Sequence, residues 1–335
     1  MAYVARAEPF DRVAAEWQGL LDRAAARRVF YRPSWQRAWW ETFQDGERPL
    51  VLTVRHGERL LALAPLMRRG DALWLAGDSE ICDYMDVVAD REAGAGAYAA
   101  LLDAVLPGTD AALDEPWREL VLWGLEEESP TLHLLPELAR ARGLTVLVEP
   151  EARCPRVALP DAGGWEAYLA GLSKKDRHEL RRKLRRLEEA GTLAFYGLSE
   201  PEAVAAAMDD FLRLHRISRP DKAAFMSPRM EAFFRRAVEA LAQEGAVRLC
   251  FLELDGARVA SVLLFDCGEE LAMYNSGFDP AYGHLAVGLL SKALCVRTAL
   301  EEGKRALDFL RGDERYKYDL GGRDRRVYRC VLRRP

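Results

Sequence analysis

The chain has 335 residues, more than one compact core usually holds and enough for two domains. Half of the residues are hydrophobic, 30% are charged and the formal net charge is −5. This is the make-up of an ordinary globular protein and argues against a general nucleic-acid binder. The charge is uneven: residues 172–191 hold eight Lys/Arg against four Asp/Glu, and residues 311–335 hold nine against four. These two basic zones are able to form one anion-attracting surface.

From the start of the chain, residues 1–11 show no apolar signal core, and the longest apolar runs, such as 60–66, are too short to span a bilayer. A cytoplasmic protein without membrane insertion is expected. Trp35, Trp39 and Trp40 fall on a helix and read as packing residues. Residues 50–76 read as three strands, with a His56-Gly57 turn and Arg59 two residues on. A helix over 95–106, a strand over 120–123, a helix over 131–142 and a strand over 144–148 follow.

The stretch 150–160 contains Pro150, Pro155 and Pro160 and marks a boundary between domains at 1–152 and 153–335. Ser173 with Asp176 resembles a capping box at the head of a basic helix, 173–190. Its Leu180, Leu184 and Leu187 form one stripe, and the other faces are crowded with Lys and Arg. Helices over 201–216 and 228–243 come next. Residues 247–273 then repeat the three-strand pattern, with an Asp255-Gly256 turn and Arg258. A helix over 285–302 ends at Gly303, and strands over 306–310 and 326–332 close the chain. One period seen twice is a duplication, so two related α+β domains are expected, each a mixed, mostly antiparallel sheet flanked by helices.

Cys82, Cys154, Cys250, Cys267, Cys295 and Cys330 make no C-x-x-C pair and read as buried free thiols of a reducing compartment. The five histidines are scattered, and no nucleophile elbow or phosphate-binding Gly-rich loop occurs, so no metal cofactor is expected.

The segments LSKKDRHELRRKLRRLEEAG, LHRISR, MYNSGFDP and LDFLRGDERYK, in that order, resemble the GNAT-like acyltransferases of the CelD-like, cellulose-biosynthesis group. That group is related to the Fem-type peptidoglycan aminoacyltransferases. The first half, with FYRPSWQRAWW, APLMRR and SEICDYMDV, is similar to their amino-terminal lobe. The resemblance implies two tandem GNAT folds with a substrate cleft between or beside them, and an acyl-CoA or aminoacyl-tRNA donor.

Candidate site residues follow from the chemistry of that reaction. In the GNAT folds that the resemblance implies, a splayed strand leads into a loop whose amides face a pyrophosphate at a helix start, and here the matching stretch includes Leu285, Ala286, Val287 and Gly288. Asn275 and Ser276, on the strand before it, are placed to pair with an acyl carbonyl or a pantetheine-like arm. Strand alternation puts Tyr274 with Ser276 on one face and Met273 with Asn275 on the other. Asp308 lies on an apolar strand and needs a partner, an arginine or a backbone amide; it reads as a positioning carboxylate or base for the amine, or as half of a structural salt bridge. Tyr316 is a usable general acid for the leaving group, and Lys317 a point charge for a phosphate or carboxylate. Lys174, Arg177 and Arg181 share a helix face suited to a phosphorylated substrate or a tRNA acceptor stem. Asp83 and Tyr84, with Asp86, follow the third strand and suit an amine or sugar hydroxyls, or shape a turn.

The function expected is therefore N-acyl transfer from acyl-CoA, or from aminoacyl-tRNA, to a small-molecule or cell-envelope precursor amine. The alternative is a binding module for a phosphorylated glycan precursor or RNA.

Overall fold

The computed structural model describes residues 2–44, 49–106 and 117–335. The chain divides into two compact units, one of residues 1–152 with 325–335, the other of residues 153–324.

In the first unit the elements are β1 (Tyr3–Glu8), α1 (Phe10–Arg23), α2 (Pro33–Phe43), β2 (Leu50–His56), β3 (Arg59–Arg69), β4 (Ala72–Leu75), β5 (Val88–Ala89), α3 (Ala95–Val105), β6 (Glu119–Glu126), α4 (Pro130–Arg140) and β7 (Thr145–Arg153). The second unit runs β8 (Arg156–Ala158), α5 (Gly164–Gly171), α6 (Lys174–Glu188), β9 (Leu193–Leu198), α7 (Pro201–Ser218), α8 (Pro220–Phe225), α9 (Pro228–Gln243), β10 (Val247–Leu254), β11 (Ala257–Asp266) and β12 (Glu270–Phe278). A 3-10 turn, Pro280–Leu285, leads into α10 (Val287–Glu301), followed by β13 (Ala306–Asp308) and α11 (Arg315–Asp319). The last strand, β14 (Arg326–Arg333), returns to the first unit.

The first sheet has the order β1-β2-β3-β4-β6-β14-β7, with β5 on β3; the second has the order β8-β13-β12-β11-β10-β9. Both anticipated three-strand meanders form, as β2-β3-β4 and β10-β11-β12. At the second hairpin Asp255 and Gly256 both take positive φ, 52° and 80°, the twist that a two-residue turn needs. The strand expected over 326–332 exists, but it lies beside β6 and not in the second sheet, so residues 325–335 part from the expected second domain.

In the first unit β4 and β6 run parallel for only three residue pairs, Ala72–Trp74 with Glu119–Val121. Beyond them the strands separate, and the chain fills the gap itself. The Met85 amide donates to Gly124 O at 3.2 Å, and Gly124 holds φ 67°. A Cβ on Gly124 would sit 2.8 Å from Met85 N, so this strand accepts the inserted segment only as glycine.

That inserted segment ends in a buried polar cluster. Asp86 accepts from Val87 N at 2.7 Å and from Ser129 Oγ at 2.5 Å. Among the described residues no cationic side chain pairs with it, and burial pushes its pKa up to about 7. The carboxyl therefore binds its proton more tightly folded than unfolded, and stability falls as pH rises from about 4 to 7. Asp86→Asn removes this penalty. It is expected to stabilise the first unit by roughly 2 kcal/mol more at pH 8.5 than at pH 5. Urea unfolding followed by tryptophan fluorescence checks this, because seven of the eight tryptophans lie in residues 1–152. An equal effect at both pH values would contradict it.

In the second unit α5, α6 and α10 cover one face of the sheet, with Leu180, Leu187, Val262, Leu264, Leu271, Leu290 and Leu294 in the shared core. Helix α7 packs on β11 and β12. The contact is backbone to backbone at Gly277: a Cβ there would lie 2.3 Å from His215 N and from Leu214 C. The basic helix starts as expected, with Ser173 Oγ accepting from Asp176 N at 3.1 Å.

Candidate active site

The second sheet opens between β12 and β13. β12 and β13 pair in parallel only at Glu270, Leu271 and Ala272 with Ala306, Leu307 and Asp308. β12 continues to Phe278 against β11 alone, while the chain after Asp308 turns away, Phe309 N donating to Pro155 O at 2.9 Å. Asp279 N bonds Val259 O at 2.8 Å, which fixes the alternation along β12. By that alternation the N–H and C=O groups of Ser276 and Phe278 face away from β11, into the opening.

The faces of β12 differ from the expected alternation. Leu263 pairs with Asn275 and Leu264 with Met273, so Tyr274 is the extra residue of a β-bulge. Tyr274 stacks on Phe234 of α9 with centroids 5.6 Å apart, and Asn275 Oδ1 accepts from His215 Nε2 of α7 at 2.8 Å. Both point to the α7/α9 side, and Ser276 turns to the other. The bulge thus separates Tyr274 from Ser276, the reverse of what simple alternation predicts.

At the wide end of the opening stands the start of α10. Its N-cap residue, Ala286, has φ 59° and no side chain caps the helix. The Val287 and Gly288 amides therefore sit at a positive helix end without a side-chain acceptor from the cap. Gly288 allows β12 to meet α10 here, since a Cβ would lie 2.7 Å from the Phe278 ring. The side chains of Leu285 and Val287 are buried, so their contribution to a ligand is through the backbone.

Tyr316 belongs to this place. Lys292 Nζ bonds Gly288 O at 2.7 Å and lies 4.9 Å from the centre of the Tyr316 ring, joining α10 to α11. The ring also meets Phe309 edge-on at 6.2 Å. Burial, and after it the Glu314 charge, raise the Tyr316 pKa, so the phenol keeps its proton through the neutral range.

Three expected roles change. Asp308 is 0% exposed, and its Oδ1 accepts from Leu310 N at 2.8 Å, holding Leu310 at φ 59°. It shapes the bend that opens the sheet, and its partner here is a backbone amide, one of the two partners that the residue pattern allowed. Lys317 is 2% exposed and donates to Leu310 O, Arg311 O and Gly312 O at 2.7–3.1 Å, with Glu314 at 2.9 Å. Its ammonium ties that same bend. On α6, Arg181 pairs with Glu166 and Arg177 donates to Ala170 O at 3.1 Å, so two of the three expected phosphate ligands hold α5; Lys174 is exposed. In the first unit Tyr84 is 1% exposed beneath the Arg28 guanidinium, 4.7 Å from its ring, and Asp83 is half-buried beside it.

Three further residues escaped the sequence reading. Lys222 of α8 donates to Ser276 O inside the opening. His215 is 1% exposed, and burial, then the Lys222 charge, hold its pKa down to about 4. Asn275 Oδ1 also accepts from Ser276 N at 3.2 Å, so His215 Nε2 carries the proton. Lys292 had a visible signal: it is the first charged residue of an otherwise apolar helix, VGLLSKALCV.

Residues 174–318 match the family model described as an acetyltransferase (GNAT) domain. The second unit is an acyltransferase. No curated protein sequence matches the chain. Among solved structures the chain is similar to FemX, with a TM-score of 0.67 and 12% identity over 94% of this chain and 95% of that one. A conserved protein of unknown function from Bacteroides thetaiotaomicron gives 0.57 and 12%, over 96% and 97%. A tandem GNAT protein from the clavulanic acid biosynthesis pathway gives 0.53 and 13%, over 99% of each chain. At these identities the likeness is one of fold, and it spans both units.

Proposed function

We propose that the second unit transfers an acyl group from acyl-CoA to an amine at the opening between β12 and β13. The observation that carries this reading is the divergence of the two parallel strands after Ala272 and Asp308, in front of a helix end whose amides no side chain caps. The donor pyrophosphate lies on the Val287 and Gly288 amides, where the helix dipole favours negative charge. The extended arm of the donor pairs with the open edge of β12 at Phe278 and at the remaining lone pair of Ser276 O, which Lys222 already holds. The acceptor attacks the thioester carbonyl as a free amine; the C–N bond forms, the C–S bond breaks, Tyr316 gives its proton to the departing thiolate, and the proton released by the amine nitrogen restores the phenol through solvent. No nucleophilic side chain takes part.

Thermal unfolding with CoA, acetyl-CoA and tRNA tests the donor. CoA at a hundred times its dissociation constant is expected to add about 2.7 kcal/mol of stability. Gly288→Glu abolishes that gain, by crowding Phe278 and placing a carboxylate where the phosphates bind. Stabilisation by tRNA alone, with a steep salt dependence, would replace this donor with an RNA.

A further inference from the structure

We propose that Lys222 and Lys292 form a receptor for a carboxylate that the substrate carries into the opening between β12 and β13. The proposal deepens the acyl-CoA reading and rests on it. Lys222 reaches in from α8 to Ser276 O on the open edge of β12. Lys292 reaches in from α10 to Gly288 O and lies against the Tyr316 ring. Both side chains are half-buried, and among the described residues neither ammonium has an acidic partner within 4.0 Å.

The neighbouring acids are already committed. Asp221 and Glu314 are the acids whose fields favour the Lys222 charge. Asp221 is held by Arg219 at 2.8 and 2.9 Å, and Glu314 by Lys317 at 2.9 Å. The Cys295 thiol near Lys292 is fully buried, which raises its pKa and keeps it protonated. Two cations thus share a desolvated opening without a counter-ion, an arrangement that costs stability until an anion enters. Burial holds both pKa values down, Lys222 to about 8 and Lys292 to about 7. The phosphates of the donor have the helix end, one turn back along α10 from Lys292, so the anion facing the pair belongs to the reacting end of the substrate. Two point charges suit a compact carboxylate there, on the acyl group or beside the acceptor amine.

Isothermal titration of the full chain at pH 6.0, where both lysines carry their charge, tests this in two arms. The first compares succinyl-CoA with acetyl-CoA. The second titrates CoA-saturated protein with alanine and with ethylamine. In at least one arm the carboxylate-bearing compound is expected to bind about tenfold tighter than its partner. Lys222→Met and Lys292→Met are each expected to reduce that ratio below twofold. Both variants remove an unpaired charge from a half-buried site, and a melting temperature at or above that of the wild type verifies their folding. A succinyl-CoA preference places the carboxylate on the donor, and an alanine preference places it on the acceptor. If CoA and acetyl-CoA bind and neither arm discriminates, the receptor is overturned and the donor site stands. If no CoA compound binds, the acyl-CoA reading fails, and the receptor with it.

Discussion

Tyr316→Phe is expected to lower kcat by about 10²-fold while leaving the dissociation constant of acyl-CoA within twofold of the wild type. The ring keeps its contacts with Phe309 and the Lys292 ammonium, so the donor site and the α10–α11 junction are retained. Only the proton for the departing thiolate is lost. Because burial raises the phenol pKa, the wild-type acid stays protonated above neutrality, and the alkaline limb of kcat is not set by its ionisation. Single-turnover kinetics with a saturating amine measure this directly. An unchanged chemical step would remove Tyr316 from the reaction.

Gly277→Ala is expected to destabilise the second unit by about 3 kcal/mol or more. The added methyl meets backbone atoms of Leu214 and His215 at 2.3–2.4 Å, and backbone cannot rotate aside as a side chain can. To make room α7 must leave β12, which breaks the His215–Asn275 bond and shifts the open edge beside it. Calorimetry is expected to show the transition of the second unit lowered and that of the first unchanged. A melting profile equal to wild type would show that α7 and β12 are not in contact at Gly277.

Much of the fold was legible because it is written locally. The two meanders announce themselves through paired apolar runs around Gly57 and Gly256, and the basic helix through its Ser173 cap. The strand pairing of β14 was not, because Val327 to Leu332 carry the same apolar pattern whichever sheet receives them. The β-bulge at Tyr274 leaves no trace in MYNSGF, since a one-residue slip depends on β11.

At the site, the structure brings the helix-end stretch and Tyr316 together through Lys292, beside one opening. Asp308 was visible as a carboxylate on an apolar strand, and Lys317 through the resemblance of its segment. Their partners proved to be backbone groups of the bend at residues 310–312, which shapes the opening without facing a substrate. Lys222 gave no signal, because one lysine among many exposed ones cannot be told apart before α8 is seen to lean on Ser276.

A crystal structure of the chain with CoA tests the central claim most directly. The pyrophosphate is expected on the amides of Val287 and Gly288, with the thiol end passing along Ser276 and Phe278 toward Tyr316. CoA bound elsewhere, with β12 and β13 closed against each other beyond Ala272, would contradict it.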